Sequence, residues 1–240
     1  MTHALQIAIL AAGMGTRLGS PLPKPLTPLT DGRTIMSRQL DSLRAAFPQG
    51  RLHAVVGFKP ELIMAAAPGL LFAYNSRFAE TNTSKSLLTA LRAMPGRGGV
   101  LWLNGDVVFD PEVLARIEPV IEVDESFVCV NTASVGEEEV KYTLDGDGFV
   151  LRLSKTVDGG LGEAVGINYI ASSDRAALAE HLERCADSDY FERGIECAIE
   201  QSGLRVRAVD ISDYFVVEVD FAADLERANT EVSKTVTTAA

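Results

Sequence analysis

The first half of the chain alternates between short apolar runs and segments in which apolar positions recur every three or four residues. The runs predict buried strands, at residues 7–11, 52–56, 70–74 and 100–103. The periodic segments predict helices, at residues 34–47, 60–66, 84–92 and 111–117. We expect Thr34 to cap the first of these helices, since its hydroxyl can accept an otherwise unpaired backbone N–H. Strands that alternate with helices favour a parallel sheet covered on both faces.

The pattern changes after residues 126–131. Residues 140–144 and 149–154 predict a β-hairpin around Gly146-Asp147-Gly148. The remaining predicted elements are strands at residues 126–131, 164–170, 206–209 and 215–219, and helices at 173–184, 191–201 and 221–232. We therefore expect a three-layer α/β/α, Rossmann-like fold, in which a mostly parallel mixed sheet carries a small β-hairpin insertion. We expect one domain over residues 1–234 and a flexible tail, rich in Thr and Ala, over 235–240.

The stretch that joins the first strand to the first helix is rich in glycine and carries two cations. From residue 10 to residue 26 it reads Leu-Ala-Ala-Gly-Met-Gly-Thr-Arg-Leu-Gly-Ser-Pro-Leu-Pro-Lys-Pro-Leu. Gly13 and Gly15 allow backbone N–H groups to approach an anion, and Arg17 and Lys24 add positive charge. The spacing is not that of a P-loop, nor that of a dinucleotide-binding turn, where the position of Leu18 belongs to Gly or Ala. The loop predicts a polyphosphate site of another kind.

Composition and charge narrow the range of partners. The chain has 240 residues, of which 47% are hydrophobic and 23% charged, and this suits one large α/β domain or two small ones. No apolar segment approaches the ~20 residues of a membrane span, and the N-terminal residues lack the basic region of a signal peptide. We therefore expect a cytoplasmic protein with no membrane partner.

The net charge of −11 argues against a nucleic-acid partner, because such binding needs a basic face. An anionic small substrate would need a local basic pocket and divalent cations to overcome this overall charge. The three cysteines, Cys129, Cys185 and Cys197, lie far apart and form no C-x-x-C pair, so they support neither a zinc site nor a redox motif.

Carboxylates stand at the ends of two predicted strands, where open parallel sheets bind their ligands. Asp106 ends an Asn-Gly-Asp run, and Glu218 and Asp220 end the late strand. Alternation along a strand puts Glu218 and Asp220 on one face, and close carboxylates repel unless a cation lies between them. Mg²⁺ shared with Asp106 would account for all three. The alternatives are an ordinary turn aspartate at 106 and a solvated strand end that caps the last helix.

Two lysines flank the predicted hairpin, Lys141 and Lys155, and Tyr190-Phe191-Glu192 opens a late helix. These residues could line a pocket for an anionic acceptor. Lysines that simply face solvent and an ordinary helix start would account for the same residues, so the residues alone leave both interpretations open.

These motifs together resemble the nucleotidylyltransferase (NTP-transferase) family, which includes the sugar-1-phosphate nucleotidylyltransferases and the CTP:phosphocholine cytidylyltransferases. The glycine-rich run with its Pro-Lys-Pro-Leu looks like the family signature, Asn104-Gly105-Asp106 like its metal-binding aspartate, and Glu218-Val219-Asp220 like its C-terminal acidic pair. The phosphocholine and phosphonate cytidylyltransferase branch is the most similar. That likeness rests on Asn75, Thr81-Asn82, Ser86-Leu87, Glu138-Glu139-Val140-Lys141, Lys155, Gly162-Glu163 and Gly166.

The resemblance implies an enzyme with a nucleotide-diphospho-sugar transferase-like fold that moves CMP from CTP to a small phosphonate or phosphate-monoester acceptor and releases pyrophosphate. It assigns catalysis to Arg17 and Lys24, and Mg²⁺ binding to Asp106, Glu218 and Asp220. It assigns nucleotide binding to Leu10, Ala11, Ala12, Gly13, Gly15, Thr16, Arg17, Lys24, Asn82, Ser86 and Asp106. It assigns acceptor binding to Lys141, Lys155, Glu163 and Glu192, and it leaves a homodimer open.

Three alternatives stay open. A sugar-1-phosphate enzyme that uses UTP or dTTP would share the fold and the loop. A nucleotide-binding homologue that has lost catalysis is a second alternative, although it would have no need to keep Arg17, Lys24, Asp106, Glu218 and Asp220 together. A MobA-like transferase that loads a nucleotide onto a cofactor is the third, and the hairpin and the late Glu-Val-Asp fit it less well.

Overall fold

The computed structural model describes residues 4–94, 96, 98–133 and 139–238, with side chains up to residue 234. In this part of the chain the strands are β1 (Gln6–Ala11), β2 (Arg51–Val56), β3 (Leu71–Tyr74), β4 (Val100–Asn104), β5 (Val107–Phe109), β6 (Phe127–Asn131), β7 (Lys141–Leu144), β8 (Val150–Ser154), β9 (Glu163–Ile170), β10 (Arg207–Asp210) and β11 (Val216–Glu218). The helices are α1 (Ile35–Ala46), α2 (Pro60–Ala66), α3 (Thr83–Ala93), α4 (Glu112–Glu122), α5 (Arg175–Arg184), α6 (Phe191–Ser202) and α7 (Ala222–Thr238).

The main sheet has the strand order β10-β6-β9-β4-β1-β2-β3. Its strands run parallel except β9, which is antiparallel to both of its neighbours, β4 and β6. The hairpin of β7 and β8 joins this sheet through β7, which pairs with β9. Strands β5 and β11 form a separate antiparallel pair. The mixed, mostly parallel sheet with a hairpin insertion is therefore confirmed.

Helices cover both faces of the sheet because side chains alternate along its buried strands. In β1, Ile7 and Ile9 point to the side of α1, α2 and α4, whereas Ala8 and Leu10 point to the side of α3, α5 and α6. A third, smaller core joins the β5–β11 pair to α7, and it contains Val108, Val217, Val219, Ala228 and Val232. The three-layer arrangement follows, and β1 at its centre is buried along its whole length.

Helix α1 begins where the sequence predicted. The Thr34 hydroxyl accepts a hydrogen bond from the Ser37 backbone N–H at 3.1 Å. The Ser37 hydroxyl in turn accepts one from the Thr34 backbone N–H at 3.0 Å. This reciprocal capping box satisfies two of the donors that a helix start otherwise leaves unpaired.

Several element bounds differ from the predictions. Helix α4 continues through Pro119 to Glu122, beyond the predicted end at residue 117. It continues because Val120 and Ile121 keep the helical spacing and pack on the core, which outweighs the cost of the proline. Helix α5 starts at Arg175 rather than at residue 173, and α7 runs to Thr238 rather than to residue 232. Strand β5, a three-residue element, was not predicted.

Residues 239 and 240 of the expected tail lie outside the described residues, as does Glu138 of the family-like run. None of the helices in the described ranges is long and apolar enough to cross a membrane.

Candidate nucleotide site

A cavity of about 430 Å³ opens at the carboxyl ends of β1 and β4. Parallel sheets bind ligands at this edge because the loops that leave neighbouring strands meet there. The cavity brings together residues from the two ends of the chain. The predicted site residues that line it are Leu10, Ala11, Gly13, Gly15, Thr16, Arg17, Lys24, Asn82, Asp106, Lys155, Glu192, Glu218 and Asp220.

The glycine-rich loop depends on Gly15. This residue has a φ of +60°, a conformation that side chains disfavour, and it precedes the 3₁₀ turn Thr16–Leu18. A Cβ at Gly15 would lie 2.6 Å from Cγ of Lys24, so only glycine lets Lys24 pass so close to the loop. At Gly13, in contrast, a Cβ would meet nothing within 4 Å. The backbone at Gly13 is therefore open to the cavity that it lines.

Lys24 is the centre of an ion-pair network. Its Nζ lies 2.9 Å from Oδ2 of Asp106 and also donates to Oδ1 of Asp220. Arg17 contacts the other oxygen of Asp220 at 3.0 Å, and its guanidinium carbon lies 5.5 Å from the centre of the Phe221 ring. Burial alone would lower the pKa of the Lys24 ammonium, but the charges and hydrogen bonds of Asp106 and Asp220 outweigh it, so the pKa is raised. Lys24 is therefore a fixed positive charge in the cavity.

Glu218 is held by other contacts. Its Oε1 accepts a hydrogen bond from the Gly166 backbone N–H at 2.8 Å, and Asn104 Nδ2 lies 3.4 Å from Oε2. A Cβ at Gly166 would lie 2.7 Å from that Oε1, so glycine is required there. Burial first, and then the charges of Asp106, Glu192 and Glu139, raise the pKa of the Glu218 carboxyl well above its ordinary range.

Within the described ranges, no group of three or more His, Cys, Asp or Glu side chains is placed to hold a metal ion. Asp106 and Asp220 nevertheless converge on one cation, the ammonium of Lys24. Two carboxylates that already enclose a positive charge match Mg²⁺, which binds through one or two carboxylates and fills its remaining positions with phosphate oxygens and water. The donor set therefore fits this metal, with Glu218 beside it.

Two of the four predicted acceptor residues, Lys155 and Glu192, lie on one wall of the cavity. Lys155 Nζ lies 4.6 Å from the centre of the Tyr190 ring, a cation–π contact. Glu192, in the first turn of α6, also lines this wall. Its Oε2 atom is buried, with no hydrogen-bond partner among the residues that the structure describes. Burial, with a smaller contribution from the charge of Glu139, raises the pKa of Glu192 to about 7. A hydrogen bond from its own backbone N–H and the charge of Lys155 oppose this rise.

Four predicted site residues are not among those that line the cavity: Ala12, Ser86, Lys141 and Glu163. Ala12 is buried in the core beneath α3. The Ser86 hydroxyl is buried and accepts a hydrogen bond from Asn75 Nδ2 at 3.2 Å. Lys141 and Glu163 pair across β7 and β9. The structure therefore brings the other predicted site residues together around the cavity, whereas these four lie outside its lining.

For three residues that line the cavity, the sequence gave no role in the site or left the role open. Asn104, although quoted in the Asn-Gly-Asp run, proves to contact Glu218. Glu139 lines the cavity, although the sequence quoted it only within the run that resembles the cytidylyltransferase branch and gave it no role. For Tyr190 the sequence left open whether it lines an acceptor pocket or simply starts a helix, and in the structure its ring lies beneath Lys155. All three matter through partners that are distant in sequence.

Comparison with known proteins identifies related domains. A family model described as a MobA-like NTP transferase domain matches residues 7–206. A CMP-5'-(3-aminopropyl)phosphonate synthase from Streptomyces rubellomurinus is 29% identical, over 94% of this chain and 38% of its own length. The bifunctional protein GlmU of Trichormus variabilis is 27% identical, over 87% of this chain and 47% of its own length. The chain thus spans about half, or less, of these curated relatives.

Solved structures share the fold at low sequence identity. The CTP:phosphocholine cytidylyltransferase of Streptococcus pneumoniae has a TM-score of 0.77 at 16% identity, over 96% of this chain and 100% of that one. A UDP-glucose pyrophosphorylase in complex with UDP-glucose has a TM-score of 0.75 at 12% identity, over 97% of this chain and 100% of that one. At such identities the likeness establishes the fold alone.

Proposed function

Because the chain belongs to the MobA-like NTP transferase domain family, we propose that it transfers CMP from CTP to a small phosphonate or phosphate-monoester acceptor and releases pyrophosphate. The observation that carries this proposal is the network of Lys24, Arg17, Asp106 and Asp220 beside the glycine-rich loop. In the proposed complex the two cations would contact the triphosphate, and the two carboxylates would hold its counter-ion. The combination suits nucleotidyl transfer better than simple anion binding.

The choice of CMP and of a phosphonate rests on one relative. The CMP-5'-(3-aminopropyl)phosphonate synthase aligns with 94% of this chain at 29% identity. Its name describes a product in which CMP is joined to a phosphonate. An aligned domain of this extent supports the same class of donor and acceptor here.

In the proposed reaction, an oxygen of the acceptor's phosphate or phosphonate attacks the α-phosphorus of CTP. The new P–O bond forms as the bond from the α-phosphorus to the bridging oxygen breaks, and the pyrophosphate leaves with that electron pair. No covalent enzyme intermediate is needed, so catalysis consists of positioning and charge neutralisation.

The residues of the chain divide these tasks. Gly13 and Gly15 present backbone N–H groups to the triphosphate, and Arg17 neutralises the β- and γ-phosphates that depart. Lys24, the most enclosed of the cations around Asp220, with 13% of its side chain exposed, stabilises the charge that develops at the α-phosphate. Asp106 and Asp220, with Glu218 beside them, would hold Mg²⁺, which neutralises triphosphate charge when bound. Lys24 would then exchange its carboxylate partners for phosphate oxygens.

A sugar-1-phosphate nucleotidylyltransferase that uses UTP or dTTP is the second candidate. It is favoured by the shared fold of a pyrophosphorylase that holds UDP-glucose. A fold does not choose the acceptor, however, and so this support is weaker than that of the aligned phosphonate relative. A homologue without catalysis is the remaining alternative. The cytoplasmic location and a homodimer stay predictions.

Pyrophosphate release decides among these candidates. The full chain with Mg²⁺ is incubated with each of CTP, UTP, dTTP, ATP and GTP against phosphocholine, 2-aminoethylphosphonate, a carboxyphosphonate and glucose-1-phosphate. We expect release with CTP and a phosphonate or phosphate monoester. Release only with UTP or dTTP and glucose-1-phosphate would instead establish the second candidate. No release from any pair would favour the homologue without catalysis.

A further inference from the structure

A buried glutamine supports the turn that carries Asp106. Gln39 lies on the buried face of α1, is 2% exposed, and is not among the residues that line the cavity. Its Nε2 donates to the backbone carbonyl oxygens of Asn104, at 2.9 Å, and Val107, at 2.8 Å. Asn104 ends β4 and Val107 begins β5, so these two carbonyls stand on either side of the Gly105-Asp106 turn. One amide therefore closes the base of that turn.

The surroundings of Gln39 are those of an apolar core position. Its neighbours on the buried face of α1, Met36, Leu40 and Leu43, all belong to the core. Its Oε1 atom is buried with no hydrogen-bond partner in the described part of the chain, and an unpaired buried acceptor costs free energy. An apolar side chain of similar volume would avoid that cost. The glutamine is therefore best explained by what its two donated hydrogen bonds hold in place.

The turn closed by Gln39 sets the positions of three carboxylates of the cavity. Asp106 is itself part of the turn and lines the cavity. Its backbone carbonyl accepts a hydrogen bond from the N–H of Val219 at 3.0 Å. Val219 lies between Glu218 and Asp220, the carboxylates at the end of the last strand, which also line the cavity. A shift of the turn would therefore displace all three carboxylates together.

On its other side, the turn rests against the glycine-rich loop. The Gly105 N–H donates to the carbonyl oxygen of Leu10 at 3.0 Å. A Cβ at Gly105 would lie 2.7 Å from Cγ of Pro25, the residue after Lys24. The turn thus lies between the loop that carries Lys24 and the amide of Gln39. Loss of the amide would free the turn on one side, while its contacts with the loop would remain.

Building on the proposed nucleotidyl transfer, we propose that Gln39 is a positioning residue for this reaction. It fixes the turn so that the carboxylates of Asp106 and Asp220 converge on one cation, which is Lys24 in this structure. Mg²⁺ would take the same two carboxylates in the reaction. Gln39 acts through the backbone of the turn and touches neither the metal nor the substrates. A group that orients metal ligands in this way typically contributes about ten- to a hundredfold to metal affinity or activity.

Substitutions of two buried glutamines test the proposal. Gln39→Met keeps the length of the side chain and removes the donor. The matched control is Gln6→Met, because Gln6 is 5% exposed at the start of β1, the end of that strand away from the cavity. There its Nε2 donates to the carbonyl oxygen of Ala4 at 3.1 Å, and its Oε1 lies 2.9 Å from Nε2 of His53. Gln39→Asn, whose amide is too short to span both carbonyls, is a second variant of the turn.

The dissociation constant of Mn²⁺, a spectroscopic substitute for Mg²⁺, is measured by electron paramagnetic resonance on the full chain with a non-hydrolysable CTP analogue. We expect Gln39→Met to weaken Mn²⁺ binding by about tenfold or more, and Gln39→Asn to weaken it severalfold. Gln6→Met should keep the wild-type affinity even though its thermal midpoint falls. Turnover with CTP and 2-aminoethylphosphonate should fall about ten- to a hundredfold in Gln39→Met, with the KM for the phosphonate nearly unchanged.

Wild-type Mn²⁺ affinity in Gln39→Met would overturn the proposal. So would equal losses in Gln39→Met and Gln6→Met, or an absence of Mn²⁺ binding by the wild type. If Gln39→Met does not fold, Gln39→Asn decides in its place: weakened Mn²⁺ binding supports the proposal, and wild-type binding overturns it. Pyrophosphate release separates the two levels of inference. Mn²⁺ binding without release from any acceptor would refute the transferase, while the Mn²⁺ affinity of Gln39→Met would still decide whether Gln39 positions the metal ligands.

Discussion

Lys24 shows how single residues define this site. Its ammonium lies between Asp106 and Asp220, which reach it from distant parts of the chain. The positive φ of Gly15 lets the loop pass over the lysine stem, so a neighbour without a side chain is as necessary as the charge itself.

Lys24→Ala should lower turnover by about a hundredfold or more. Removal of one charge that stabilises the transition state raises the activation free energy by ~2.7–4 kcal/mol, and each ~1.4 kcal/mol lowers the rate by a factor of ten. Steady-state pyrophosphate release measures this effect. The control is Arg92→Ala, which removes an exposed cation paired with Glu183. If Lys24→Ala keeps near-normal turnover with an unchanged thermal midpoint, Lys24 has no part in the chemistry.

Glu192 should make stability depend on pH. Burial raises the pKa of its carboxyl from an ordinary 4.5 to about 7, with Lys155, Glu139 and Glu218 as its charged neighbours. Between these pH values the folded chain binds more protons at this group than the unfolded chain, so stability falls as pH rises through the window and levels off above it.

Glu192→Gln should therefore be more stable than the wild type at pH 8, on the order of 1–3 kcal/mol, and nearly equal to it at pH 5. Thermal unfolding of both proteins across this range measures the difference. A wild type that is the more stable of the two at pH 8 would show that the carboxylate is well solvated or paired.

At the scale of elements, local signals and core packing compete. Thr34 starts α1 through a capping box that the sequence contains in full. The sequence predicted that α4 ends at residue 117, but the apolar residues Val120 and Ile121 continue the helix past Pro119. The bounds of an element were predictable where its local sequence signal and its packing on the core favour the same end. Where the two differ, packing on the core set the bounds.

Thr34→Ala should destabilise the fold by about 1 kcal/mol, since it leaves a backbone donor of the first turn unpaired. Chemical denaturation gives the free energy of unfolding, and activity should change little because Thr34 is not among the residues that line the cavity. Ser37→Ala removes the other hydrogen bond of the same capping box, and it should lower the free energy of unfolding by no more than Thr34→Ala does. An unaltered unfolding midpoint for Thr34→Ala would mean that the cap contributes nothing to stability.

At the scale of the molecule, both ends of the chain build one site. The loop after β1 supplies Arg17 and Lys24, and the segment after β11 supplies Asp220. Strand β11 reaches the site by pairing with β5, and α7 packs behind this pair. The C-terminal elements are thus part of the candidate nucleotide site as well as of the fold.

One cooperative unfolding transition is expected, because the sequence predicts a single domain over residues 1–234. In the presence of Mg²⁺, CTP at a hundred times the dissociation constant of CTP should raise the free energy of unfolding by ~2.7 kcal/mol. This corresponds to a rise of roughly 5–10 °C in the thermal midpoint. Scanning calorimetry with and without nucleotide measures both effects. Two separate transitions would contradict the single domain, and an unshifted midpoint would contradict nucleotide binding.

By itself, the sequence determined the family and the order of the described strands and helices apart from β5, and it predicted the phosphate loop, because these depend on local periodicity and on a contiguous motif. The tertiary structure decided which carboxylates meet Lys24, that Ser86 is buried against Asn75, and that Glu192 has an unpaired oxygen in the cavity. These depend on distances between residues far apart in the chain. Strand pairing and packing set those distances, and no local pattern contains them.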